Sequence, residues 1–187
     1  MKNKIRFIFF FLLVSSSIFG QEIEGYYVDV GFEIQQYPTG FLFGVRSEVG
    51  LSPHNALDVR VGYNLLDHQD FGVHQSEKGG GLGFSLGYRH YFKSNNKGFF
   101  LGVRSDLWWN EVDWKDNIGE ANEINGTSKV IVLQPTAIGG YRYLFSDHWL
   151  VTPTVAFGAE FNVKTKGAAV GEGPIFLWGL NVAYRFF

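Results

Sequence analysis

The chain of 187 residues carries a formal net charge of -2, 24 glycines, 18% aromatic residues and no cysteine. A near-neutral charge removes the electrostatic basis for a nucleic-acid partner, and the missing cysteine excludes disulfides, thiol chemistry and a lipidated cysteine anchor. What remains is one strand-rich domain held together by hydrogen bonding and packing.

The first twenty residues read as an export signal. Lys2, Lys4 and Arg6 form a basic end, Phe7 to Val14 an apolar run, and Ser15 to Gly20 a stretch of mostly small residues. The apolar run is shorter than the roughly 20 residues a spanning helix needs, so cleavage near Gly20 is expected and residues 21–187 form the mature domain.

From Tyr26 onward the signal is strict alternation, the mark of strands with two chemically different faces. The first strand sets Tyr26, Val28, Val30, Phe32 and Ile34 against Tyr27, Asp29, Gly31 and Glu33. The second sets Phe41, Phe43, Val45 and Val49 against Gly44, Arg46, Glu48 and Gly50, and the third Leu57, Val59, Val61, Tyr63 and Leu65 against Asp58, Arg60, Gly62 and Asn64. In the fourth, Leu82, Phe84, Leu86 and Tyr88 oppose Gly83, Ser85, Gly87 and Arg89; in the fifth, Phe99, Leu101, Val103, Leu107 and Trp109 oppose Gly102, Arg104 and Asp106. The sixth, over Val130 to Phe145, is the least regular, with Ile131, Leu133, Tyr141 and Tyr143 opposite Gln134, Thr136, Gly140 and Arg142. The seventh sets Trp149, Val151, Val155, Phe157 and Phe161 against Thr152, Thr154, Gly158 and Glu160, and the eighth Phe176, Trp178, Leu180, Val182, Tyr184 and Phe186 against Gly179, Asn181, Ala183 and Arg185.

Connections after the second, fourth and sixth strands are short, and those after the third, fifth and seventh span 67–80, 115–128 and 164–173; only the first hairpin, near Pro38, breaks the long class. Short turns at one end and longer loops at the other are the habit of transmembrane barrels. A soluble barrel with its apolar face inward is the competing arrangement, but the Phe, Tyr, Trp and Leu of the apolar phase exceed what an eight-stranded interior holds. Charges separate too. Arg46, Arg60, Arg89, Arg104, Arg142 and Arg185 lie on the polar phase, whereas the lysines after residue 20 fall in connections or at their edges. The expected fold is therefore an all-β, eight-stranded antiparallel up-and-down transmembrane β-barrel.

With its strands placed, the mature chain resembles the small outer-membrane barrels, the OmpA transmembrane domain and the OmpX family. The residues that carry this most sharply are the last ones, where Tyr184 and Phe186 stand in step with the apolar phase and Phe187 follows. The resemblance implies a bacterial outer-membrane location, a monomer surrounded by outer-membrane lipid and lipopolysaccharide, and Tyr184, Phe186 and Phe187 as the signal read by the barrel assembly machinery.

Candidate chemistry concentrates in the lumen. Asp29, Glu33, Glu48, Asp58, Asp106 and Glu160 share the polar phase with the six arginines, so six negative groups are expected to face six positive ones and to plug the interior. Arg185 is expected to meet Asp29 or Glu33 across the closing seam. The expected role is structural or surface-interacting through the loops, with a narrow pore for ions or small solutes as the alternative. No enzyme is expected, because His90 is followed by Tyr91-Phe92 and the remaining histidines sit in connections, without a nucleophile and base in register. Neither a cofactor nor a metal is expected. Gly79-Gly80-Gly81 precedes no helix that would cradle a phosphate, and Glu111, Asp113, Asp116, Glu120 and Glu123 lack the spacing of a calcium loop and read as a solvated acidic loop.

Overall fold

The computed structural model describes residues 26–186; the expected signal segment and Phe187 lie outside them. Eight strands follow one another: β1 (Val28–Tyr37), β2 (Gly40–Gly50), β3 (Asn55–Gln69), β4 (Ser76–Lys93), β5 (Lys97–Asp116), β6 (Ile124–Leu144), β7 (Trp149–Lys166) and β8 (Gly173–Arg185). Each pairs antiparallel with the next, and β8 returns to β1 to close the ring. Closure leaves no strand edge unpaired, the condition for placing a sheet in hydrocarbon. The β1–β2 connection is only Pro38-Thr39, while a single 3-10 turn, Ser94–Asn96, joins β4 to β5. Asn95 and Asn96 there take positive φ (62° and 51°), which asparagine tolerates better than most residues.

The alternation resolves into an inside and an outside. Phe32, Val45, Val61, Leu82, Val103 and Phe157 point outward and are each more than half exposed. In water each would forgo roughly 1.5–3 kcal/mol of burial, whereas in an apolar surround the sign reverses. Tyr88, Tyr143 and Trp149 ring the turn end of this band, and Trp109 and Trp178 the loop end.

The wall is uneven in height. β1 and β2 have 10 and 11 residues, close to the roughly 9–11 that span a membrane, but β5 and β6 run for 20 and 21. Half of the residues in the long connections expected at 67–80, 115–128 and 164–173 are thus strand, leaving only 70–75, 117–123 and 167–172 between strands. The physical reason is that both faces turn polar there, so the hydropathy period vanishes while the ladder continues. Cross-strand partners on the outer face hold it: Lys78 and Asp67 at 3.0 Å, Lys129 and Glu111 at 2.8 Å, and the Thr127 hydroxyl donating to Asp113 at 2.6 Å.

Candidate functional site in the barrel lumen

The inward phase of β1 to β6, with the end of β8, assembles one connected web of charge. Glu48 on β2 is its hub: fully buried, it takes Arg46 at 3.1 Å, Arg89 at 3.3 Å and Arg142, and accepts hydroxyl donations from Tyr27 at 2.5 Å and Tyr91 at 2.8 Å. Toward the loops, Glu33 draws Arg46, Arg60 and Arg104 within 3.3–3.7 Å, and Asp106 takes Arg60 at 3.2 Å and Arg104 at 3.0 Å. Gln35 accepts from both Arg60 and Arg104, at 2.7 and 2.8 Å. Arg89 also holds Asp58 at 2.9 Å. Toward the turn end, Asp29 bridges Arg142 at 3.2 Å and a two-pronged Arg185 at 2.8 and 3.0 Å. The β1–β8 register is what sets Arg185 opposite Asp29 and Asn181 opposite Glu33.

Aromatic rings complete the packing. The guanidinium carbon of Arg89 lies 4.6 Å from the Phe100 ring centre, that of Arg142 4.7 Å from Tyr91, that of Arg60 5.4 Å from Trp108, and that of Arg185 3.9 Å from Tyr27. A guanidinium sheds water more readily than an ammonium and stacks on such faces. The polar phase read from the sequence holds Tyr27 but misses Tyr91, Phe100 and Trp108. Their signal is the doublets Tyr91-Phe92, Phe99-Phe100 and Trp108-Trp109, because in an alternating strand one member of each pair must face inward. Room for them comes from the glycine-rich inner face of β4: a Cβ on Gly83 would sit 2.3 Å from the Trp108 ring.

Glu160 corrects the expected balance. Among the described residues it forms no ion pair; it accepts the Gln134 side-chain amide at 2.9 Å, and its strand partner is Gly173 at the loop end of the ladder. The stagger of β7 lifts it above the arginines, so six guanidinium groups face five carboxylates in the web. The acidic loop is likewise dispersed. Glu111, Asp113 and Asp116 belong to β5, each with its own partner, and no group of three or more potential metal ligands forms among the described residues. His90 faces outward, its Nδ1 2.9 Å from Asn55 Oδ1.

No protein-family model matches the chain, and no curated protein does. Solved structures do. The N-terminal β-barrel domain of Pseudomonas aeruginosa OprF is 16% identical, covering 86% of this chain and 97% of its own, with a TM-score of 0.47. Neisserial surface protein A is 13% identical over 89% of this chain and 100% of its own, with a TM-score of 0.50. Ail of Yersinia pestis, solved with the heparin analogue sucrose octasulfate, is 7% identical over 88% and 99%, with a TM-score of 0.47. This is the fold of the small eight-stranded outer-membrane barrels.

At the loop end of this outer-membrane-type barrel, His74 ties its own 70–75 loop to the end of β5 and to the 167–172 loop. Its Nδ1 lies 2.7 Å from Asp116 Oδ2 and its Nε2 2.9 Å from the Ala169 carbonyl, while the ring stacks on Trp114 at 4.2 Å. Both partners are oxygen acceptors, one from the end of β5 and one from the 167–172 loop. The His74 bond, followed by the Gln75 backbone N–H, holds the Asp116 carboxyl below its ordinary 3.8. A depressed carboxyl contributes stability above its unfolded value and loses it as pH falls through the folded one; the tie therefore persists through weakly acidic solution. In His74→Phe, which keeps the stacking, Asp116 is expected to titrate closer to 3.8 by NMR, and the 70–75 and 167–172 loops to be cut several-fold faster by protease.

Proposed function

We propose that this protein is an integral barrel of the bacterial outer membrane, exported with removal of residues 1–20. Its lumen is closed by paired charges, and it acts as a structural or surface-interaction protein through its loop end. The observation that carries the reading is the web itself. Arg46, Arg60, Arg89, Arg104 and Arg142 are each at most 3% exposed and every one lies against a carboxylate, so an ion entering the lumen meets groups whose separation would strand buried charge. The outward apolar band supports lipid and lipopolysaccharide as the surround, with the protein as a monomer. Tyr184, packed between His148 at 5.1 Å and Phe186 at 5.1 Å on the outer surface, supports the reading of Tyr184, Phe186 and Phe187 as the assembly signal.

Single-channel recording in a planar bilayer tests the closed lumen. The expected trace has no stable open steps. Steady steps that disappear when Arg104 or Arg142 is replaced would establish the narrow-pore alternative and overturn closure.

A further inference from the structure

Above the web and below the loops lies a partly enclosed cavity of about 300 Å³, at the lower end of the roughly 300–1,000 Å³ of small-molecule pockets. Its walls are largely aliphatic, built from side chains such as Leu66, Val112, Val132 and Ile175, with Phe71 contributed by the 70–75 loop. Apolar walls alone would suit any greasy molecule. The polar groups among them narrow the choice.

Glu77, Glu160 and Glu172 border the cavity, and among the described residues no lysine or arginine does. Glu77 is committed to His68 Nε2 at 3.3 Å and to the His74 backbone N–H at 3.3 Å, and Glu172 accepts the Asn162 backbone N–H at 2.8 Å. Glu160 has the Gln134 amide and no cation. Two further side chains lining the cavity keep an unused acceptor. Asn110 is 4% exposed and its Oδ1 has no donor; the Oδ1 of Asn162 likewise has none. The acceptors left over here include those of Glu160, Asn110 and Asn162, and the three carboxylates outnumber the one histidine. Acceptors buried without donors are costly, so a complementary ligand brings donors and positive charge together with an apolar body.

We propose that this cavity binds a small primary amine with an aryl or short alkyl body, its ammonium group placed on Glu160 and Asn110 Oδ1 and its apolar part against the aliphatic wall. Three ammonium protons match several convergent acceptors better than a hydroxyl does, and a charge-assisted hydrogen bond to a carboxylate in a sheltered site is the strong kind. Fatty acids and other carboxylates are disfavoured by like charge. The site does not depend on whether the lumen below it conducts.

The test uses the isotope-labelled barrel in lipid nanodiscs, with heat-modifiable migration confirming that each variant is folded. Phenethylamine, 2-phenylethanol and phenylacetate, one shape carrying three charges, are titrated while the Asn110 side-chain amide is followed by NMR. Phenethylamine is expected to shift that signal saturably, phenylethanol to bind about tenfold more weakly and phenylacetate not to bind. Glu160→Gln keeps an acceptor for Gln134, and is expected to weaken phenethylamine about tenfold while leaving phenylethanol unchanged. Should Glu160→Gln fail to fold, the ranking of the three compounds on the unaltered protein decides. Equal binding of amine and alcohol, an amine affinity indifferent to Glu160→Gln, or no saturable shift in a cavity that is merely hydrated would each overturn the proposal.

Discussion

Replacing Glu48 by alanine is expected to lower the stability of the folded barrel more than any other single change in the lumen. Removing one partner of a buried pair costs about 3–5 kcal/mol, because the remaining charge is left without compensation, and Glu48 is the shared partner of three guanidinium groups and two tyrosine hydroxyls. Arg89 keeps Asp58 and Arg142 keeps Asp29, so the losses will not simply add. The fall should still exceed the value for a single pair. Glu48→Gln keeps the acceptor for Tyr27 and Tyr91 without the charge, and is expected to lie between. Urea unfolding in lipid vesicles and the temperature at which the folded gel band shifts are the measurements. A Glu48→Ala barrel with an unchanged midpoint would show that the arginines are held by packing against their rings and not by the carboxylate.

Val103→Arg should be the most damaging change on the outer face. Val103 lies between Phe99 and Trp109 on β5, points outward and is 61% exposed, with Arg104 beside it pointing inward. An arginine on the lipid side at the midplane costs about 2–4 kcal/mol, and less toward the rims. The yield of folded protein from vesicle insertion is therefore expected to drop strongly for Val103→Arg and little for an arginine placed at Phe92, near the turn-end rim. Equal yields at the two positions would mean that the band faces something other than hydrocarbon.

The two faces were readable because a strand's period is two and its chemistry repeats with it. Asp29, Arg46, Glu48, Arg60 and Arg104 fall on one phase in the sequence and on one surface in the barrel. Partner choice is a different kind of information. It depends on stagger around the ring, which no local pattern records: the sequence leaves Arg185 between Asp29 and Glu33, the register selects Asp29, and the same stagger carries Glu160 out of the web toward Gln134. Strand ends were hidden for a related reason. Where Lys78 meets Asp67 and Lys129 meets Glu111, the outer face is as polar as the inner, so alternation in hydropathy fades although the backbone pairing does not.

The uneven wall has a mechanical consequence. About ten residues of β5 and of β6 stand beyond what the shorter strands span, roughly 25 Å after allowing for barrel tilt. Only 117–123 at the tip is free of the ladder. Anything that grips this tip meets a lever anchored by the longest strand pair in the molecule, with little slack to take up before tension reaches the wall. Contact at the tip therefore orders few residues and loses little affinity to loop entropy, and a pull along the hairpin is delivered to β5 and β6, the two strands that carry Arg104, Asp106 and Arg142.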